Sequence, residues 1–289
     1  VSKVTVVGSV NMDLVFDVAA LPAPGETVLA SGLHRSPGGK GGNQAVAAAR
    51  AGAQVSVVAA VGEDDAGSAL IDHLRANGVA TDAVTRLPGP SGTAAIVVGA
   101  AETGSRENTI VVAPGANAHL TLDDKAVRDV VAAADVVLVQ LEIPAQTALA
   151  AARQGRHSGA TVILNASPAG ADPDLLAELA AVTDVVIVNE TEAQQWHWQT
   201  PYLVTTRGAA GATVASDGGT VSVPSQRVEP ADTSGAGDVF AGVLAACWTR
   251  MDPEQAVRRA TAAGALATLV PGAGDCAPTA EMIEDALLR

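Results

Sequence analysis

"VVLVQLEIPAQTALAAARQGRHSGATVILNAS", residues 136–167, reads as strand, helix, strand. Val136–Glu142 and Thr161–Ser167 are continuous apolar runs, while "AQTALAAARQG" between them is apolar at helical spacing and stops at a glycine. The rhythm recurs in VTVVG (Val4–Gly8), VSVVAAVG (Val55–Gly62), VVIVNE (Val185–Glu190) and YLVTTRG (Tyr202–Gly208), interleaved with "NQAVAAARAG", "GSALIDHLRANG" and "DDKAVRDVVAAA". Strands that are apolar on both faces and alternate with helices belong to a buried, mostly parallel sheet. The expected fold is α/β, a three-layer α/β/α sandwich with a mostly parallel central sheet.

Residues 14–37 and 91–112 break that rhythm. They read as β-rich, with turns at Pro24-Gly25 and Gly104-Ser105, and predict a small β-sheet lid projecting from the sandwich. The reading is of one domain, residues 1–289, with the lid segments inserted in it. From Asp252 onward the order is helix, Gly/Pro loop ("PGAGDCAP"), helix.

A net charge of −14 and a pI near 4.6 disfavour nucleic acid and anionic membrane as partners. An anionic ligand must then be held by local backbone and a few placed cations. Two cysteines, Cys247 and Cys276, give no disulfide framework, and no apolar run is long enough to span a bilayer. "VSKVTVVGS" does not read as a signal peptide, and a cytoplasmic protein is expected.

In a parallel α/β sheet, ligands gather at the carboxyl ends of the strands. The polar residues that fall there are Asn11 and Asp13 after Gly8, Glu63 and Asp64, Glu142, Asn165, Asn189 and Glu192, and Thr206 with Gly208. "DTSGAGDVF", residues 232–240, opens a helix with small residues, as an anion hole built from free N–H groups requires. Asp238 behind it reads either as a base for an attacking hydroxyl or as an ordinary first-turn acid. A second glycine cluster, "SPGGKGGNQAVAAA" from Ser36, adds the cation Lys40 and the amide Asn43, and it lacks the Lys-Ser/Thr pair of a Walker loop. "GSVNMDL" lacks G-x-G-x-x-G spacing, which disfavours a nicotinamide dehydrogenase.

Together "GSVNMDL", "PGGKGGNQA", "GANAHLT", "VQLEIP", "NASPA", "NETEA", "TRGAAG", "DTSGAGDVFAG" and "GAGDCAP" resemble, in order and over nearly the whole chain, the ribokinase-like family of sugar and nucleoside kinases. "GGKGGNQA" and "DTSGAGD" are the specific ones. The resemblance implies Asp238 as catalytic base and Gly235, Ala236 and Gly237 as the anion hole for the transferred phosphoryl group. It implies that Asn11, Asp13, Gly39, Lys40, Asn43 and Glu142 hold the hydroxyls of D-ribose, and that Asn189, Thr206, Gly208 and Gly211 lie along ATP. Glu192 would position Mg²⁺ through water. Asp232, Ser234, Ala267, Gly272 and Cys276 fall at the places of a monovalent-cation (K⁺) site, mostly through carbonyls. A homodimer formed through the lid is expected.

Other sugar or nucleoside acceptors, or a noncatalytic binding protein on the same fold, stay open at this point. The chain departs from the family between Asn189 and Tyr202, where "NETEAQQWHWQTP" replaces a helix and a longer connection. Either an element beside the nucleotide site has been lost or residues are missing there. Trp196 and Trp198 read as a packing pair or, less naturally, as a platform for adenine.

Overall fold

The computed structural model describes residues 1–100 and 106–288. The first half of the chain runs β1 (Lys3–Val7), β2 (Asn11–Ala20), β3 (Gly32–Gly38), α1 (Lys40–Arg50), β4 (Gln54–Gly62), α2 (Asp65–Ala76), β5 (Val84–Leu87), β6 (Gly92–Ala100) and β7 (Arg106–Ala113). It continues with α3 (Lys125–Ala132), β8 (Val136–Val139), α4 (Ala145–His157), β9 (Thr161–Asn165), α5 (Pro173–Ala181), β10 (Val185–Asn189), α6 (Glu190–Ala193) and β11 (Tyr202–Thr206). The last elements are β12 (Ala212–Ser216), β13 (Gly219–Val223), α7 (Ala236–Cys247), α8 (Pro253–Ala267) and α9 (Ala280–Leu287).

The nine-stranded central sheet has the order β13-β12-β11-β10-β9-β8-β1-β4-β5. It is parallel from β11 to β5 and antiparallel at the β12–β13 edge. The strands are apolar throughout because both faces are covered. Val136 and Leu138 of β8 point into a core with α1, α2, α7, α8 and α9, while Val137 and Val139 point into one with α3, α4 and α5. All four are 0% exposed, so each contributes about 1.5–3 kcal/mol of burial. The expected three-layer α/β/α sandwich is what the chain forms. No helix among the described residues is long and apolar enough to cross a membrane.

A separate four-stranded sheet, order β3-β2-β6-β7, is antiparallel except for the β2–β6 pair. Its strands occupy both segments that broke the rhythm, and β2 starts earlier than expected, at Asn11. The turn at Pro24-Gly25 forms, closed by Glu26 N donating to Ala23 O at 2.9 Å. The turn expected at Gly104-Ser105 lies outside the described residues.

The short connection after Asn189 still completes a parallel crossover. Residues 190–201 carry the single-turn α6, and β11 pairs with β10 in register from Val185↔Tyr202 to Asn189↔Thr206. Where a longer helix would cover the sheet, Trp196 is buried in the core with α3, α4 and α5, edge-on to Trp198 at 5.1 Å. The pair therefore packs the sheet and forms no adenine platform. The hairpin β12–β13 matches no expectation above, although Asp217-Gly218 between alternating runs is a hairpin signal.

Candidate active site

Helix α7 starts behind Gly235, which takes φ 74° and leaves no room for a β-carbon, since Ala273 Cα would lie 2.8 Å from it. Any other residue here is strained twice over, by backbone conformation and by contact. Gly237 faces open space, with nothing within 4 Å of where a β-carbon would stand. The turn thus presents α7's first N–H groups, which lack intrahelical partners, to whatever occupies that space.

Asp238 follows in the first turn and is only 8% exposed. Its Oδ2 accepts a hydrogen bond from Asn43 Nδ2 and its Oδ1 one from Gln44 Nε2, both at 3.0 Å. Both amides come from α1, so the helix that follows the first glycine cluster holds the carboxylate of the second.

Nearby, Asn11 and Asp13 point the same way from the base of β2, where they pair with Gly38 and Ser36 of β3. Asn11 Oδ1 accepts from Asn117 Nδ2 at 2.8 Å. Gly39, at φ 86°, turns the chain from β3 into α1 so close to β2 that a β-carbon would meet Asn11 N at 2.8 Å. Glu142 Oε2 accepts from Ser9 Oγ at 2.5 Å and from Lys40 N at 3.0 Å, tying the end of β8 to the start of α1.

Charge is concentrated here. Burial, with help from the charges of Glu142 and Asp238, pushes the Asp13 carboxyl up to about 7. Asp238 above all, and then Glu142 and Glu192, hold the Lys40 ammonium above its ordinary value against the opposing pull of burial. Acidic acceptors and amides around one ammonium suit a polyol, whose hydroxyls both donate and accept.

Beyond Gly237 a largely apolar cleft of about 390 Å³ opens between Thr206, Gly208, Gly211, Gly237, Phe240 and Thr268. Three of these are residues expected along ATP. The fourth, Asn189, caps α6 reciprocally with Glu192: Glu192 N donates to Asn189 Oδ1 at 2.8 Å, and Asn189 N donates to Glu192 Oε2 at 2.9 Å. Neither lines the cleft, though Glu192's charge adds to those that raise Lys40.

The residues expected around a monovalent cation converge behind the turn. Asp232 accepts from Ser234 N and Gly272 N, each at 2.8 Å. Ala267 ends α8, and the carbonyl of the next residue, Thr268, accepts from Ala231 N at 2.8 Å and Asp232 N at 3.0 Å. Burial pushes the Cys276 thiol up to about 11, so it is a neutral donor, lying 3.3 Å from Ala273 O and 3.8 Å from Ser234 O. The oxygen donors of this corner suit a hard cation, to which a neutral thiol adds nothing.

Of the other strand-end residues, Asp64 is structural: it caps α2 through Gly67 N at 2.7 Å and holds Ser91 through N at 2.8 Å and Oγ at 2.6 Å. Site residues that the sequence reading missed are Ser9, Gln44, Asn117 and Gln140. Gln44 alone carried a signal, a polar residue on the apolar face of a helix, and its meaning waits on its partner.

The pfkB family carbohydrate kinase description matches residues 1–280. The chain is similar to a ribokinase of Bacillus subtilis (strain 168), 36% identical over 298 residues covering 99% of each chain. It superposes on the ribokinase of Thermotoga maritima with a TM-score of 0.89 at 29% identity, covering 100% of both chains. For Arabidopsis thaliana ribokinase complexed with ribose and ATP, the TM-score is 0.89 at 26% identity, covering 99% of this chain and 98% of that one. The chain belongs to the pfkB family of carbohydrate kinases.

Proposed function

From that membership we propose an ATP-dependent ribokinase, transferring the γ-phosphoryl group of ATP to the O5 hydroxyl of D-ribose to give D-ribose 5-phosphate. The observation that carries the reading is Asp238, a buried carboxylate set between the amides of the sugar side and the open turn at Gly237. The similarity to ribokinases, one of them complexed with ribose and ATP, supports the choice of acceptor.

Asn11, Asp13, Gly39, Lys40, Asn43 and Glu142 bind the sugar and orient O5 toward Asp238. As the bond from O5 to the γ-phosphorus forms, Asp238 takes the hydroxyl proton. The bond from that phosphorus to the β,γ-bridging oxygen breaks, and its electron pair leaves with ADP. N–H groups of Gly235, Ala236 and Gly237 stabilise the charge on the transferring group from fixed positions. Thr206, Gly208 and Gly211 line the nucleotide cleft, and Asn189 shapes its edge.

Glu192 would position Mg²⁺ through water, and the ion would supply compensation of phosphate charge there. The oxygens around Asp232, Ser234, Ala267 and Gly272 would hold a monovalent cation, K⁺, with Cys276 a bystander, and its charge would steady the anion-hole turn. The small sheet acts as a lid within one domain, excluding water. Its edge strand β7 and the exposed Leu33, Ile110, Val111 and Val112 suit a second copy, giving a homodimer. Two buried, unpaired thiols fit the cytoplasm.

The test is ADP release with Mg²⁺-ATP and K⁺ against D-ribose, 2-deoxyribose, fructose and adenosine, in wild type and Asp238→Asn. Preferred turnover of ribose that falls by at least about 10³-fold in Asp238→Asn, with ribose still bound, is expected. Near-normal turnover of the variant removes Asp238 from the chemistry, and a different preferred acceptor refutes ribose.

A further inference from the structure

Asp238 does not meet its two amide partners on equal terms. Asn43 belongs to the sugar site, whereas Gln44 is 0% exposed and lies behind the carboxylate, on the core side of α1. Gln44 is itself held: Gln140 Nε2, at the end of β8, donates to Gln44 Oε1 at 2.7 Å, and Gln44 Nε2 then donates to Asp238 Oδ1 at 3.0 Å. The chain Gln140–Gln44–Asp238 has one polarity. Because Gln44's oxygen is taken by a donor, its nitrogen must face the carboxylate.

Two further observations show that this chain is built in. Gln140 is also 0% exposed, and its Oε1 has no hydrogen-bond partner among the described residues, a cost of about 1–3 kcal/mol that an apolar side chain would not carry. That oxygen occupies the space a β-carbon on Gly8 would need, so the chain after β1 has been kept bare to admit it. Helices α1 and α7 are also drawn close enough for the contact. Ala47 Cβ lies 2.8 Å from where a β-carbon on Gly242 would stand, one turn along from Asp238.

We infer that Gln44 and Gln140 are positioning residues for the phosphoryl-transfer reaction: a buried amide relay that fixes the rotation of the Asp238 carboxylate toward the incoming hydroxyl. Neither touches a substrate; each acts through Asp238. The relay rests on Asp238 being the base, and it makes a separate prediction. A wrongly rotated base slows the chemical step and leaves substrate affinity intact.

The experiment compares Gln44→Met and Gln140→Met with wild type in steady-state kinetics. Gln44→Met is expected to lose about 10- to 100-fold in kcat and to hold KM for ribose and for ATP within about twofold. Gln140→Met, which also deletes the orphaned oxygen and so has a folding cost offset, lowers kcat several-fold with KM likewise unchanged. It serves by itself if Gln44→Met does not fold. A folded variant with wild-type kcat overturns the relay, as does a loss confined to KM. Asp238→Asn run alongside separates the two readings. If it is inactive while both glutamine variants behave as wild type, only the relay fails; if it stays active, the base assignment itself is wrong.

Discussion

Asn117 grips the first residues of β2 from one side: its Nδ2 donates to Asn11 Oδ1 at 2.8 Å and to Val10 O at 3.0 Å, while its Oδ1 accepts from Val10 N at 3.0 Å. A single buried amide thus satisfies the backbone of Val10 and sets the rotation of Asn11, leaving Asn11 Nδ2 available to the proposed sugar site. Asn117→Ala strands the Val10 groups and releases Asn11. Thermal or urea unfolding should show a loss of about 2–4 kcal/mol, and KM for ribose should rise at least about tenfold with a smaller change in KM for ATP.

Asp13 predicts opposite pH trends for stability and for binding. Its folded value of about 7 lies above the ordinary 3.8, so between those limits the folded chain keeps a proton that the unfolded chain has released. Stability conferred by this group is therefore full below pH 4 and declines as pH rises toward 7, and ligand-free melting temperature should fall over that interval. Ribose affinity should climb through pH 7, since the ionised carboxylate is the better acceptor for hydroxyls. Asp13→Asn should flatten both curves and raise KM for ribose by about 10-fold or more; curves that keep their slopes in this variant would assign the titration to another group.

Cys276 offers a gain rather than a loss. A thiol pushed up to about 11 stays protonated across the working range, and it occupies a corner where its neighbours are carbonyl oxygens. Cys276→Ser replaces it with a hydroxyl that can both donate to those carbonyls and offer an oxygen to a hard cation. The K⁺ concentration for half-maximal activity should drop several-fold with kcat little changed. An unaltered K⁺ titration would take position 276 out of the cation site, and a wild type that ignores K⁺ would remove the cation itself.

The sandwich was legible because Val136–Val139 and its counterparts are apolar on both faces, a pattern that only a covered parallel sheet requires. The turn at Gly235 was legible too, since small residues ahead of a helix have few other uses. Gln44 and Gln140 were not. Both sat inside quoted stretches, but a glutamine at a buried position gains its meaning from the partner it meets, and that partner is 194 residues away for Gln44. Asn117 was hidden for the same reason, its bonds spanning 107 and 106 residues. Trp196 read as a packing residue and is one, but only the sheet topology shows that a shortened crossover leaves the gap it fills.

Gly274 has no space for a β-carbon because the carbonyl of Pro37, at the base of the small sheet, stands there, and Arg50 pins the same loop by donating to Asp275 O and Ala277 O at 2.9 Å each. The base of the small sheet and the loop beside the anion hole are in that sense one mechanical part, resting on the far end of the helix that begins at Lys40. If the proposed sugar and cation sites are coupled through it, linkage runs both ways: whatever factor sugar binding applied to ion affinity, the ion would return to the sugar.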